Sequence, residues 1–157
     1  MLFRSEDRLR VIGYHHMEAR LNNFDMTLGG KHLDWQIVSA AQVFRAVGTI
    51  FSAVEHLALK YYRHNMSSEW NNQADRSHWR KVLGSFEKVK TVSVDSVLVE
   101  QLSGALQVGE EESPTELLPE LQNVTYPTTR RVTSRNAFTQ FIDARREAGC
   151  PVTVNHS

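Results

Sequence analysis

At 157 residues the chain is the size of one domain, long enough to bury roughly two-thirds of the surface its unfolded form exposes. A hydrophobic fraction of 41% with 23% charged residues excludes global disorder. The balance of eighteen basic and eighteen acidic residues excludes the positive surplus that nucleic acid or an anionic membrane would select, so neither partner is expected.

The opening MLFRSEDRLR carries charge where a secretory signal needs an apolar core, which places the protein in the cytoplasm or nucleus by expectation. Three matches to the glycosylation sequon, at Asn65, Asn123 and Asn155, are then chance matches. Residues 8–14 and 23–28 each read as a short strand. In the second, Phe24, Met26 and Leu28 point one way and Asp25 and Thr27 the other. Gly29-Gly30 breaks the chain before a helix that Asp34 is placed to cap.

Residues 33–62 form the longest apolar-periodic stretch. Ile37, Ala40, Ala41, Phe44, Val47 and Phe51 recur at helical spacing, with Val38, Val43, Ile50 and Val54 widening the face. Gln36, Ser39, Gln42, Arg45, Thr49 and Ser52 leave one narrow polar stripe. Around Leu57 the pattern switches to period two, so the unit is a helix feeding a strand.

The unit recurs. Asp75 can cap a helix over 76–86 with Trp79, Val82, Leu83 and Phe86 inward, followed by a strand over 90–95. Ser96 can cap a helix over 97–107 with Leu98, Leu102, Ala105 and Leu106 inward. Glu110-Glu111-Glu112 reads as a solvated acidic loop, and Ser113-Pro114-Thr115-Glu116 as a capping box that starts a short helix. A strand over 123–126 follows, then a helix over 136–148 stopped by Gly149 and Pro151, then a closing strand over 151–155.

A repeat underlies this order. Phe51, Val54, Leu57 and Leu59 stand at offsets zero, three, six and eight, and so do Phe86, Val89, Val92 and Val94, and Leu118, Leu121, Val124 and Tyr126. Val152 and Val154 read as the last pair of a fourth copy. Strands joined by helices are expected to be parallel with right-handed crossovers. The expected fold is therefore α/β, an irregular leucine-rich-repeat-like solenoid fragment with a mostly parallel curved sheet and helices on its outer side. It forms a single domain over 1–157, with N-terminal strands in 1–30 and helix–strand repeats in 31–157.

No catalytic constellation accompanies the repeat. The seven histidines lack the spacing of metal ligands, and the one cysteine, Cys150, excludes a disulfide and a multi-cysteine zinc site. Gly84-Ser85-Phe86 lacks the flanks of a nucleophile elbow, and Gly29-Gly30 lacks a phosphate-loop lysine. No catalytic residue, metal or cofactor is expected. Trp70, inside the polar SSEWNN segment, either anchors its loop or is presented to a partner.

The phrases Ser52-Ala53-Val54-Glu55-His56-Leu57, Ser68-Glu69-Trp70-Asn71-Asn72, Leu83-Gly84-Ser85-Phe86, Val89-Lys90-Thr91 and Phe141-Ile142-Asp143-Ala144-Arg145 carry a resemblance. Over residues 24–156 the chain resembles the C-terminal, leucine-rich-repeat-like region of a large family of fungal F-box-domain proteins. In that family the F-box binds the adaptor of a cullin ubiquitin ligase, and the C-terminal part recognises substrates. Residues 1–23 show no F-box opening helix, so the resemblance implies the recognition region alone, without adaptor binding.

The expected function is thus a non-enzymatic protein-interaction domain that recognises an unidentified protein substrate of a ubiquitin ligase. Its surface would be the strand face turned away from the helices, with Thr27, Ala58, Lys60, Ser93, Asp95, Thr125 and Thr153, together with Trp70. The alternatives are a small α/β enzyme and a gene-fragment remnant without selected activity. Self-association through an unprotected N-terminal edge is also expected, with Ile12→Lys as the change that would suppress it.

Overall fold

The computed structural model describes residues 7–15, 24–30, 32–63, 75–127 and 137–157. Strands β1 (Asp7–Tyr14), β2 (Phe24–Gly30), β3 (His56–Tyr62), β4 (Thr91–Val94), β5 (Asn123–Tyr126) and β6 (Thr153–His156) form one sheet in the order β2-β1-β3-β4-β5-β6. The pairs from β3 to β6 are parallel, whereas β1 is antiparallel to both β2 and β3.

The sheet is therefore mixed, not mostly parallel, and a leucine-rich-repeat-like solenoid is not shown. The cause is the position of β1. β2 and β3 each run opposite to β1, hence in the same direction as one another, and the helical connection between them passes over the intervening strand. This is a βαβ crossover split by an inserted strand.

The offset repeat accounts for the core. Leu57, Val92, Val124 and Val154 are successive Cα partners across β3 to β6, and Leu59 pairs with Val94. All twelve residues of the three full copies are at most 5% exposed, so the alternation buries one face of the sheet. The fourth copy needs correction by two residues. Val154, not Val152, takes offset six, and His156 takes offset eight beside Tyr126, its ring edge-on at 4.9 Å.

Helix α1 (Leu33–Ala46) buries Leu33, Gln36, Ile37, Ala40 and Phe44, and after Val47 a single turn, α2 (Gly48–Phe51), leads toward β3. The apolar face is narrower than its sequence suggests, because Val43 and Ile50 are 39% and 59% exposed. Gln36, expected in the polar stripe, is buried. Its Nε2 donates to the Asp7 carbonyl at 2.9 Å and the Gly30 carbonyl at 3.3 Å, tying α1 to both antiparallel strands. Asp34 is no cap. It lies in the first turn and accepts from the Asp75 amide at 3.4 Å, with His78 Nδ1 at 3.3 Å.

Helix α3 (Arg76–Leu83) begins as expected, with the Asp75 carboxylate accepting from the Ser77 amide at 3.0 Å. Helix α4 (Val99–Leu106) is entered through a 3-10 turn, Ser96–Leu98, without a side-chain cap. Glu112 is not a solvated loop acid. It pairs with Arg76 at 2.8 Å and Arg80 at 3.6 Å and accepts from the Gly109 amide at 2.9 Å, pinning the loop to α3.

Residues 113–120 form turns and no helix, although the sequence there has a capping box. Glu116 reaches Arg80 at 3.2 Å instead of the helix start, and Leu118 adopts a positive φ of 51°. The carbonyls that a helix would satisfy are collected by Arg145 of α5 (Thr139–Glu147), which is 1% exposed. Its guanidinium donates to the Pro114, Leu118, Pro119 and Leu121 carbonyls at 3.0–3.4 Å, and burial pushes its pKa down. Helix α5 then ends in a Schellman motif, with Gly149 at φ 78° and the Cys150 amide donating to the Arg145 carbonyl at 2.9 Å.

Two stability measurements check this account. Leu57→Ala is expected to cost about 2–5 kcal/mol in a denaturant titration, and Lys60→Ala, on the other face, under about 0.5 kcal/mol. Equal losses would show that the strand faces are exchanged. Arg145→Ala takes from the buried Leu121 carbonyl its donor, at about 1–3 kcal/mol, while the Leu118 carbonyl keeps the Leu121 amide at 3.0 Å. Arg145→Lys should recover less than half of that loss, since one ammonium cannot reproduce a planar fork across four carbonyls.

Candidate functional site

Alternation that buries one side of the sheet presents the other. Helices α1, α3, α4 and α5 share their core with the buried side alone, so the second face carries its own ordered set of side chains. The pairing registers arrange these in rows across the strands. One row runs Tyr14, His56, Thr91, Asn123, Thr153, and the next runs Asp25, Ile12, Ala58, Ser93, Thr125, Asn155. A third row holds Thr27, Arg10 and Lys60, and a fourth Gly29, Arg8 and Tyr62.

Across β4 to β6 this face is small, polar and neutral, and at its border with β3 His56 Nδ1 and Thr91 Oγ1 are hydrogen-bonded at 2.6 Å. Over β1 and β3 it is charged. Arg10 holds Asp25 in a two-point ion pair, with Nε to Oδ1 at 2.8 Å and a second contact from Nη2 to Oδ2. The hydrogen bond from Arg10 holds the Asp25 carboxyl below the usual carboxylate range, and the same pairing, with help from Tyr62, raises the Arg10 pKa.

The expected surface residues fall on this face. Thr27, Ser93 and Thr153 are exposed; Ala58, Lys60, Asp95 and Thr125 are half-buried. Asp95 is already engaged. Its amide donates to the Leu59 carbonyl at 3.1 Å and its carboxylate accepts from the Tyr61 amide at 2.9 Å, prolonging the ladder past the end of β4. Trp70 lies outside the described residues. Ile12 is on an interior strand and 5% exposed, so it does not mark a sheet edge; the edges are β2 and β6.

Arg8, Arg10 and Tyr62 are the charged and aromatic members of its β1–β3 corner that the expected set lacked, alongside Tyr14, His56, Thr91, Asn123 and Asn155 in the first two rows. The signal at the corner is the alternation of Arg8 and Arg10 with Leu9 and Val11, which places both arginines opposite the core.

Elsewhere, a cavity of about 350 Å³ opens between the turn after α3 and residues 116–120, with Phe86, Lys88, Glu116, Leu118 and Glu120 in its wall. It adjoins the chain leading into β4, the amino end of the parallel strands, whereas ligand sites of open α/β sheets form outside the carboxyl ends. Among the described residues no cluster of three or more His, Cys, Asp or Glu side chains could hold a metal ion, and no helix is long and apolar enough to cross a membrane. Comparison with protein-family models, curated proteins and solved structures finds no match for this chain.

The ion pair on this face sets a pH dependence. Because the folded pKa of Asp25 lies below its ordinary value of 3.8, the pair's contribution is present above that value and is lost as pH falls through the depressed one. The thermal midpoint of the wild type should exceed that of Asp25→Asn at pH 6, and the two should converge as melts are taken down toward pH 2.5. A gap that stays constant would remove the pair from the stability of β2.

Proposed function

We propose that this chain is a non-enzymatic protein-interaction domain whose contact surface is the open face of its sheet. One observation carries the reading: among the described residues six strands turn registered, mostly polar side chains to the side away from the helices, with Ile12 as a buried apolar position among them. Flat polar sheet faces of this kind offer hydrogen-bonding groups at fixed spacing, about 4.8 Å from strand to strand, without enclosing a reactive centre.

The resemblance to the C-terminal region of fungal F-box proteins supports a more specific version, in which the domain is the substrate-recognition part of a ubiquitin-ligase component, of leucine-rich-repeat-like descent. The aligned rows at offsets six and eight, and the shared strand entries, favour that version. At those entries the Glu55 carbonyl accepts from Lys90 and Thr91, the Lys90 carbonyl from Gln122 and Asn123, and the Gln122 carbonyl from Thr153. Each repeat starts its strand on the one before.

Ser93→Arg combined with Thr125→Arg tests the surface, because the two positions are neighbours in register and neither touches the core. The double variant should keep the wild-type thermal midpoint and lose the proteins that the wild-type chain captures from extract. A captured protein whose ubiquitination falls when the chain is removed would support the ligase assignment. Capture that survives both arginines overturns the open face as the contact surface.

A further inference from the structure

We infer that the β1–β3 corner of the open face takes an extended acidic segment of a partner protein, with carboxylates on alternate residues; this rests on the open face being the contact surface. The corner contains a conflict. Arg10 and Lys60 are direct cross-strand partners, and like charges in that relation repel. Arg8 stands beside them, opposite Tyr62.

Among the described residues two carboxylates lie nearby on this face, and both are engaged. Asp25 is held by Arg10 through two contacts, and Asp95 is held by the Tyr61 amide. Among the described residues neither Arg8 nor Lys60 has an ion-pair partner within 4 Å; the Asp25 carboxylate, held by Arg10, only feels the Lys60 charge from a distance, so an anion arriving at this corner gains two cations without a direct partner. Tyr62, 47% exposed, adds a large amphipathic ring at the same place, the composition at which protein contacts concentrate their energy.

The spacing selects the class of ligand. Arg8 and Lys60 are diagonal neighbours across the antiparallel pair, a relation that separates side chains by about 7–8 Å. In an extended peptide, residues i and i+2 project to the same side about 6.6 Å apart. Carboxylates on alternate residues therefore meet both cations at once, whereas adjacent carboxylates point to opposite sides and meet one.

Fluorescence anisotropy on the full chain tests this with labelled twelve-residue peptides. One alternates Glu with Ser, a second carries the same number of Glu as adjacent pairs separated by Ser pairs, and a third replaces every Glu by Gln. The alternating peptide should bind most tightly, the Gln peptide not at all, and affinity should fall as salt is raised. Arg8→Gln with Lys60→Gln should weaken binding about tenfold with an unchanged thermal midpoint, and each single change about threefold. The single variants decide the matter if the double variant loses stability.

No binding of the alternating peptide at millimolar concentration overturns the inference. So does equal binding of the adjacent-pair peptide, or tighter binding of a single-stranded RNA of the same charge, which would mark a general polyanion site. If the peptide fails while the Ser93 and Thr125 arginines still abolish partner capture, the acidic specificity falls and the open-face function stands.

Discussion

Four phenylalanine rings hold the two halves of the sheet to one core. Phe24 comes from the edge strand β2, Phe44 from α1, Phe51 from α2 and Phe86 from the turn after α3. Their centroids lie 4.6–6.2 Å apart, mostly edge to face. Phe24 reaches this cluster because β1 has no side chain where it passes. A Cβ on Gly13 would stand 2.5 Å from the Phe24 ring and 3.0 Å from Val54. With the antiparallel strands anchored in this way, the helical connection from β2 to β3 can pass over β1, and Gln36 fixes the crossing by donating to both strands.

That arrangement explains how far the fold could be read from the sequence. The offsets zero, three, six and eight record two physical requirements, an apolar turn under the sheet and two inward strand residues. Both are local in the chain, so they were legible, and the register from Leu57 to Val124 follows them. The slot taken by β1 is a long-range choice. The alternation of its residues says which side is buried, but nothing in residues 7–14 states that the strand separates β2 from β3. The expectation of a mostly parallel sheet failed at that point and nowhere further along the chain.

The segment 113–120 shows a different limit. Ser113, Pro114 and Glu116 satisfy every local rule for a helix start, and the segment still turns without one. Tertiary partners outbid the local signal: Arg80 takes the Glu116 carboxylate, and Arg145 supplies donors to carbonyls that stand outside any helix. A buried guanidinium with four carbonyl acceptors can replace a helical ladder because its donors diverge in one plane. Arg145 stands four residues after Phe141 and seven after Phe138, so helical spacing puts it on the buried face and Arg146 off it, but nothing local says which carbonyls it meets there.

The candidate surface inherits the same division. The parallel strands repeat one pattern, so most outward positions of β4 to β6 carry small polar side chains; those of β3 to β5 were readable as soon as the repeat was, whereas on β6 the two-residue shift puts Asn155, not Thr153, beside Thr125. The charged corner arises only where the inserted strand meets the repeat. Arg10 faces Lys60 because β1 lies between β2 and β3; had β2 paired directly with β3, the outward row beside Lys60 would have come from Asp25, Thr27 and Gly29 and carried the opposite sign. The one strand that departs from the repeat thus sets both the mixed topology of the sheet and the electrostatic character of its open face.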